Sequence, residues 1–386
     1  MDFDFFTPVN DGLIAEFRSG RGLGSTLKIH AEEKAFPDLD DVKIALFGVN
    51  EDRLNEDSNG EPFNFDGIRR SFYSLFPGNW HLTMADLGDI TRGETVEDTY
   101  YAVQTTVAEL LKKGIIPVII GGSQDLVYPQ YRAYDGVEQM VNLVNIDSRF
   151  DLGDADKTIS NRSYVGKIVV TKPYNLFNYS NLGYQTYFNS QDEIELMDRL
   201  FFDAYRLGEV TSEISMVEPV MRDASLVTVD MGAVSAGALG NYRMPSPNGF
   251  DGKEICALAR YAGISDKVTS FGVYEINSDL NFSSCNMLIA QIIWYFVEGV
   301  NFRKNENTIS AKKEFIKYQV PVDDEILIFY KSPVSSRWWI EIPFITNSNN
   351  KLRRHTLLPC TEGDYKDACD QVIPERWYKT KRKNEI

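Results

Sequence analysis

The stretch "VNLVNIDSRFD", residues 141–151, decides how this chain is read. Its first six residues, "VNLVNI" (141–146), are apolar and rich in β-branched side chains, as in a buried strand of a parallel sheet. The next five, "DSRFD" (147–151), set Asp147 and Asp151 on either side of Arg149. They stand just past the strand's carboxyl end, where open α/β sheets keep their functional groups.

The same pattern recurs along the chain. "KIALFGV" (43–49), "IIPVII" (115–120), "SLVTV" (225–229) and "KVTSFGVYEI" (267–276) also read as buried parallel strands. Longer segments with helical periodicity lie between them: "TVEDTYYAVQTTVAELLKK" (95–113), "SQDEIELMDRLFFDAYRLGE" (190–209) and "SSCNMLIAQIIWYFVEGV" (283–300). Ser190 and the acidic residues after it mark the start of the second of these helices. Strands alternating with helices predict an α/β fold with a mostly parallel sheet covered on both faces. The strand ends are acidic: "GGSQD" (121–125), "DSRFD" (147–151), "DMGAVS" (230–235) and "EINSD" (275–279). One such Asp is read as the cap of the next helix. Four acidic strand ends together suggest a polar cleft of the kind that suits hard cations.

Composition narrows the function. The net charge of −16 over 386 residues argues against nonspecific nucleic-acid binding, which needs Lys and Arg to displace counterions from phosphates. The chain has no apolar run long enough to span a membrane. "MDFDFFTPVND" is acidic and does not resemble a signal peptide. Four cysteines without a CxxC pair suggest reduced thiols in a cytoplasmic protein. "SGRGLGS" (19–25) follows no strand and reads as a loop rather than a phosphate cradle.

The ordered strand ends resemble the ureohydrolase superfamily of arginase, agmatinase and formimidoylglutamase. That family reads GGDHS, DAHxD and SxDxDxxDP after successive strands, then E-x-N-P. The upstream segments "GVNEDR" (48–53), "FDGIRRSFY" (65–73) and "DLGDI" (86–90) share the likeness, which covers roughly residues 40–300. It implies a three-layer αβα, arginase-like fold with a sheet of about eight strands. The domain would span 1–300, followed by a C-terminal extension over 301–386.

The resemblance also implies where metal ligands would lie. The family's six positions fall on Gln124, Asp147, Arg149, Asp151, Asp230 and Gly232. The inner ion would use Gln124, Asp147, Asp151 and Asp230. The second ion would lose both private ligands, to Arg149 and Gly232, and arginine cannot shed its proton to coordinate. A guanidinium there would repel a divalent ion by several kcal/mol even at an effective dielectric of about 20. Arg149 is therefore expected to bridge the carboxylates where the active family holds two manganese ions, and no cofactor is expected; the alternatives are Arg149 turned to solvent, or one weakly held ion on the four inner positions. The family's proton-transfer histidine would lie in "SNRSYVG" (160–166), which has none, and the chain's three histidines, His30, His81 and His355, lie outside every motif. Glu275 keeps the position that grips the substrate's guanidinium or amidine, and could equally serve local backbone donors.

The extension reads as two strands, "DEILIFYKS" (324–332) and "RWWIEIPFI" (337–345), joined by "SPVSS". Adjacent Trp338 and Trp339 must point to opposite faces, so either the strand is sandwiched or one indole is available to a partner. Trp377 and Tyr378 open a basic end, "ERWYKTKRKNEI", read as a solvated tail or as a segment docked on the acidic body or on an acidic partner. The leading expectation is a catalytically inactive ureohydrolase-fold protein, a scaffold or regulatory subunit with a protein partner or a second copy of itself. A cationic small molecule in the old cleft is also compatible, and neither nucleic acid nor a membrane span is expected. The alternative is a hydrolase of C–N bonds in linear amidines with a reduced metal site, acting through Asp151 and Glu275.

Overall fold

Side chains along the strand Val42–Asn50 show why the chain builds three layers. Ile44 and Leu46 enter one apolar cluster, and Ala45, Phe47 and Val49 enter another, as a period of two requires. In the strand Val141–Ile146, Val144 and Ile146 join the first cluster and Val141 and Leu143 the second. Both faces of these strands are buried, so their sequences are continuously apolar rather than alternating. The computed structural model describes residues 5–32, 34–57, 64–136, 140–240, 246–276, 284–306, 313–343 and 357–385. His355 and the "NSD" of "EINSD" (277–279) lie outside them.

Among the described residues ten strands form the main sheet: β1 (Phe6–Thr7), β2 (Lys28–Ile29), β3 (Val42–Asn50), β4 (Thr83–Thr91), β5 (Ile116–Gly121), β6 (Val141–Ile146), β7 (Leu176–Tyr184), β8 (Asp203–Arg206), β9 (Leu226–Asp230) and β10 (Ser270–Tyr274). Their order is β1-β4-β3-β5-β10-β9-β6-β7-β8, with β2 beside β4. β1 is antiparallel to β4, and the other pairings among the described residues are parallel. β5 and β6 are consecutive in the chain, yet β10 and β9 lie between them. The carboxyl ends of these four central strands therefore meet at a topological switch, where such sheets open a crevice.

The helix Val96–Lys112 starts where its sequence suggests, with a capping box between Thr95 and Asp98. The segment 190–209 departs from expectation. Its helix ends at Arg199, Phe201 adopts φ 54°, and residues 203–206 become the edge strand β8 beside β7. Phe202 and Met197 are buried in the second cluster, and pairing with β7 outweighs local helix propensity.

Helices Gly252–Ile264 and Ser284–Asn301 cross at a pair of glycines. A Cβ on Gly263 would sit 2.1 Å from the Phe296 carbonyl oxygen, and one on Gly299 would sit 2.6 Å from that of Arg260. Gly263→Ala must push the helices apart and is expected to cost about 1–3 kcal/mol in urea denaturation, the usual penalty of overpacking. An unchanged midpoint would mean that the crossing is looser than these distances.

The C-terminal part forms a second, antiparallel sheet of β11 (Ile316–Val322), β12 (Glu325–Lys331), β13 (Trp338–Glu341) and β14 (Leu357–Cys360). β12 and β13 are the expected hairpin, but the tryptophans are not available to a partner. Trp338, Trp339 and Trp377 are only 5%, 3% and 3% exposed, because the strand is sandwiched. Trp338 stacks on Tyr365 at 4.7 Å, and Trp339 lies between Phe315 and the Arg222 guanidinium. The basic end is a helix, Glu375–Glu385, docked on the protein itself rather than a solvated tail. Trp377 Nε1 donates to the Glu341 carbonyl, Lys379 pairs with Asp203, and Lys383 bonds Asn178. Tyr378 alone of the four proposed contact residues stays exposed. No helix among the described residues is long and apolar enough to cross a membrane.

Candidate functional site

A cleft of about 700 Å³ opens at the ends of the central strands, lined among others by Asp151, Asp230, Glu275, Arg149 and Arg162. Three strand-end carboxylates gather at its floor, and each is almost fully buried: Asp151 and Asp230, the latter at the end of β9, line the cleft, while Asp147, just after β6, lies behind them. Two of them also perform local turn work. Asp147 accepts from the Arg149 backbone amide at 2.9 Å, and Asp230 from that of Gly232 at 2.5 Å. Asp151 holds φ 51° and Glu275 φ 55°, a conformation costing of order 1–3 kcal/mol for residues with a Cβ. Such strain is retained only where the surroundings over-determine it. Asp151 is tied by Val165 N–H to its carbonyl, and Glu275 N–H donates to Gly122 at 2.7 Å.

Burial in a like-charged group raises these acids. Burial, helped by the charge of Asp151, holds Asp147 well above the ordinary carboxylate range. Burial and Asp147 do the same for Asp230. Burial pushes Asp151 up to about 7 against the pull of Arg162. Burial and then Asp230 take Glu275 to about 7 as well.

Arg149 does not bridge the carboxylates. Its guanidinium lies over the Phe188 ring at 4.4 Å and donates to the Phe188 carbonyl at 3.0 Å. The loop bearing it is clamped from β7 and beyond. Asn181 donates to the Arg149 carbonyl, Asn189 Oδ1 accepts from Phe150 N–H, and Asn189 Nδ2 donates to the Ser148 carbonyl. These bonds hold the side chain on the rim of the cleft, where a face-on aromatic contact outweighs a reach to the floor.

The guanidinium that faces the floor belongs to Arg162. Its Nη1 is 3.9 Å from Asp151 Oδ1, and its Nη2 donates to Asp57 at 2.8 Å. Burial opposes its charge, but Asp151, Asp230 and Asp147, with the bond to Asp57, raise its pKa above the usual arginine value. Sequence reasoning missed it because "SNRSYVG" was read for the histidine it lacks. The signal available was the arginine inside that same segment.

Gln124 works as a donor. Its Nε2 is hydrogen-bonded to Asn145, Asp147 and Tyr164, while Asn145 Nδ2 donates to Asp147 and Tyr164. Glu275 is a clamp between three loops. It accepts from Asn55 at 2.7 Å, from the Gln124 backbone amide at 2.9 Å and from Asn161 at 3.3 Å. These donors come from distant loops rather than from the local backbone, and Glu275 also lines the cleft. Of the two described histidines, His30 bonds the Leu87 carbonyl and His81 is exposed, and neither lines the cleft.

This donor set does not fit two manganese ions. Gln124 turns its amide nitrogen to Asp147, Arg149 has only donors and faces Phe188, and Gly232 has no side chain. Among the described residues no group of three or more His, Cys, Asp or Glu side chains is arranged to hold a metal ion. Gln124 Oε1 and both Asp151 carboxylate oxygens are nevertheless buried without a hydrogen-bond partner, which leaves oxygen donors to spare.

The arginase family model matches residues 42–298. Formimidoylglutamase of Geobacillus sp. (strain WCH70) is 27% identical over 213 residues, covering 51% of this chain and 65% of the relative. The match thus spans just under two thirds of that relative. Formimidoylglutamase of Staphylococcus aureus (strain MRSA252) is 23% identical over 290 residues, covering 70% of this chain and 92% of the relative. The crystal structure of Trypanosoma cruzi formiminoglutamase with manganese superposes with a TM-score of 0.61 at 18% identity, over 69% of this chain and 96% of that one. At that identity the likeness concerns the fold.

Proposed function

Since this chain belongs to the arginase family, we propose that it is a non-hydrolytic member whose cleft binds a ligand instead of activating water between two metals. One observation carries this reading: the six ligand positions present Gln124, Asp147, Arg149, Asp151, Asp230 and Gly232, with Arg149 stacked on Phe188. Ureohydrolase-type chemistry needs a hydroxide made near neutral pH by metal coordination, and the second ion has no private ligand left. Among the described residues the cleft lining includes Asp52, Glu56, Asp57, Glu193 and Glu275 and two arginines, so it favours a small organic cation. Binding such a ligand, together with a protein partner or a second copy of the chain, would make this a regulatory or scaffold subunit.

A second reading is supported by the relatives, whose names are those of hydrolases, and by the buried oxygens of Gln124 and Asp151 that accept no hydrogen bond. It is a hydrolase of linear amidines with one ion on Gln124, Asp147, Asp151 and Asp230. Turnover of formimidoylglutamate, agmatine and arginine with added manganese separates the two. The expected result is no release of product above the uncatalysed rate, and no metal retained after desalting. Manganese-dependent turnover that Asp151→Ala abolishes would establish the hydrolase instead.

A further inference from the structure

We propose that the Arg162 guanidinium is the resident cation of this cleft, balancing the carboxylates left at the former metal positions and thereby excluding a divalent ion. The inference rests on the non-hydrolytic reading and deepens it by naming what stands in for the metals.

The geometry is built rather than incidental. The loop carrying Arg162 is pinned to the loop 54–57 by backbone and side-chain bonds: Asn161 N–H to the Leu54 carbonyl, Glu56 N–H to Asn161 Oδ1, Asn161 Nδ2 to Asn55 Oδ1, and Ser160 Oγ to Glu56. On its other side it presses against the strand-end loop that bears Asp151. A Cβ at Gly153 would lie 2.5 Å from Ser163 Cβ and 2.7 Å from the Arg162 carbonyl oxygen, and one at Gly166 would lie 2.0 Å from the Leu152 carbonyl oxygen. Gly153 also holds φ 46°, so glycine is required there on both grounds. Held from both sides, the side chain contacts Asp57 on one loop and Asp151 on the other. An always-charged, planar group suits this place beside the buried Asp151, because among the described cleft-lining residues no histidine or lysine offers a positive charge. A divalent ion would have to enter beside a fixed positive charge.

The test uses the full chain and manganese chloride alone as the probe, read by calorimetry and thermal melting. Wild type and the charge-keeping Arg162→Lys are expected to show no saturable binding and no shift in Tm. Arg162→Met is expected to bind about one ion per chain, at least about tenfold more tightly than wild type. Adding Asp151→Asn to that variant should remove the binding again. Wild type binding manganese as tightly as Arg162→Met would overturn the proposal, and so would a folded Arg162→Met that takes none. If Arg162→Met does not fold, the paired variant decides. Recovery of the fold on neutralising Asp151 supports the charge balance, and no recovery overturns it. The outcomes stay separate from the functional reading: turnover by wild type defeats that reading, whereas a silent wild type with a folded, metal-silent Arg162→Met defeats only the role of Arg162.

Discussion

Asp151→Asn is expected to raise the Tm by several degrees at pH 8, with the gain shrinking as the pH is lowered to 5. In the folded protein Asp151 keeps its proton up to about pH 7, against an ordinary value of 3.8 in the unfolded chain. Between those values the folded state binds more protons than the unfolded one, so stability falls as pH rises, and above about pH 7 the deficit is complete. About three units at about 1.4 kcal/mol each set a ceiling near 4 kcal/mol. Arg162 remains paired with Asp57 in the variant, and Asp147 and Asp230 retain their own shifts, so the expected gain is about 2 kcal/mol. Asparagine cannot ionise, so the advantage is absent below about pH 4 and full above about pH 7. Melting curves at three pH values check this. A carboxylate serving as a metal ligand would give the opposite sign at pH 8, since its removal would release the ion. The same data therefore bear on the choice between binding protein and hydrolase.

Arg222→Ala should loosen the C-terminal sheet from the body at a cost of about 3–5 kcal/mol. Arg222 closes the short helix Glu218–Asp223, and its side chain is 5% exposed. From there it donates to the carbonyls of Trp338 on β13 and Cys360 on β14, at 2.9 and 3.0 Å, and bonds Glu218. Its Cζ also sits 4.5 Å from the centroid of the Trp339 ring. Removing it leaves two buried carbonyls without their donor, at about 1–3 kcal/mol each, and strips the packing from Trp339, while Glu218 keeps its pair with Arg337. Hydrogen exchange should show the amides of β13 and β14 losing protection before those of β5 and β9. Arg222→Met keeps the contact with Trp339 but not the donors. If it proves as stable as wild type, packing rather than hydrogen bonding holds the two parts together.

Much of this molecule is legible in its sequence. Apolar runs at 43–49, 115–120, 141–146, 225–229 and 267–276 read as strands buried on both faces, and the acidic residues after four of them mark one crevice. Backbone position follows from local pattern and strand order, so Gln124, Asp147, Asp151, Asp230 and Glu275 could be assigned to that crevice from sequence. Direction and partner of a long side chain do not follow in this way. Arg149 lies between two aspartates in the chain, yet Phe188, about 40 residues away, captures its guanidinium. Arg162 faces the aspartates because two glycine-lined close approaches bring its loop there. The same limit explains the tryptophans: alternation put Trp338 and Trp339 on opposite faces, but only the layers formed by Tyr365, Phe315 and Arg222 decided that both are covered. The helix predicted at 190–209 stops at Arg199 and gives residues 203–206 to β8, because hydrogen bonding to β7 is a long-range term that helix propensity does not contain. The sequence by itself thus determined the αβα fold and the place of the cleft. Only the tertiary structure decided which cation faces the remaining carboxylates, because a flexible arginine's electrostatic partner is set by which loops pack together, not by which residues are adjacent in the chain.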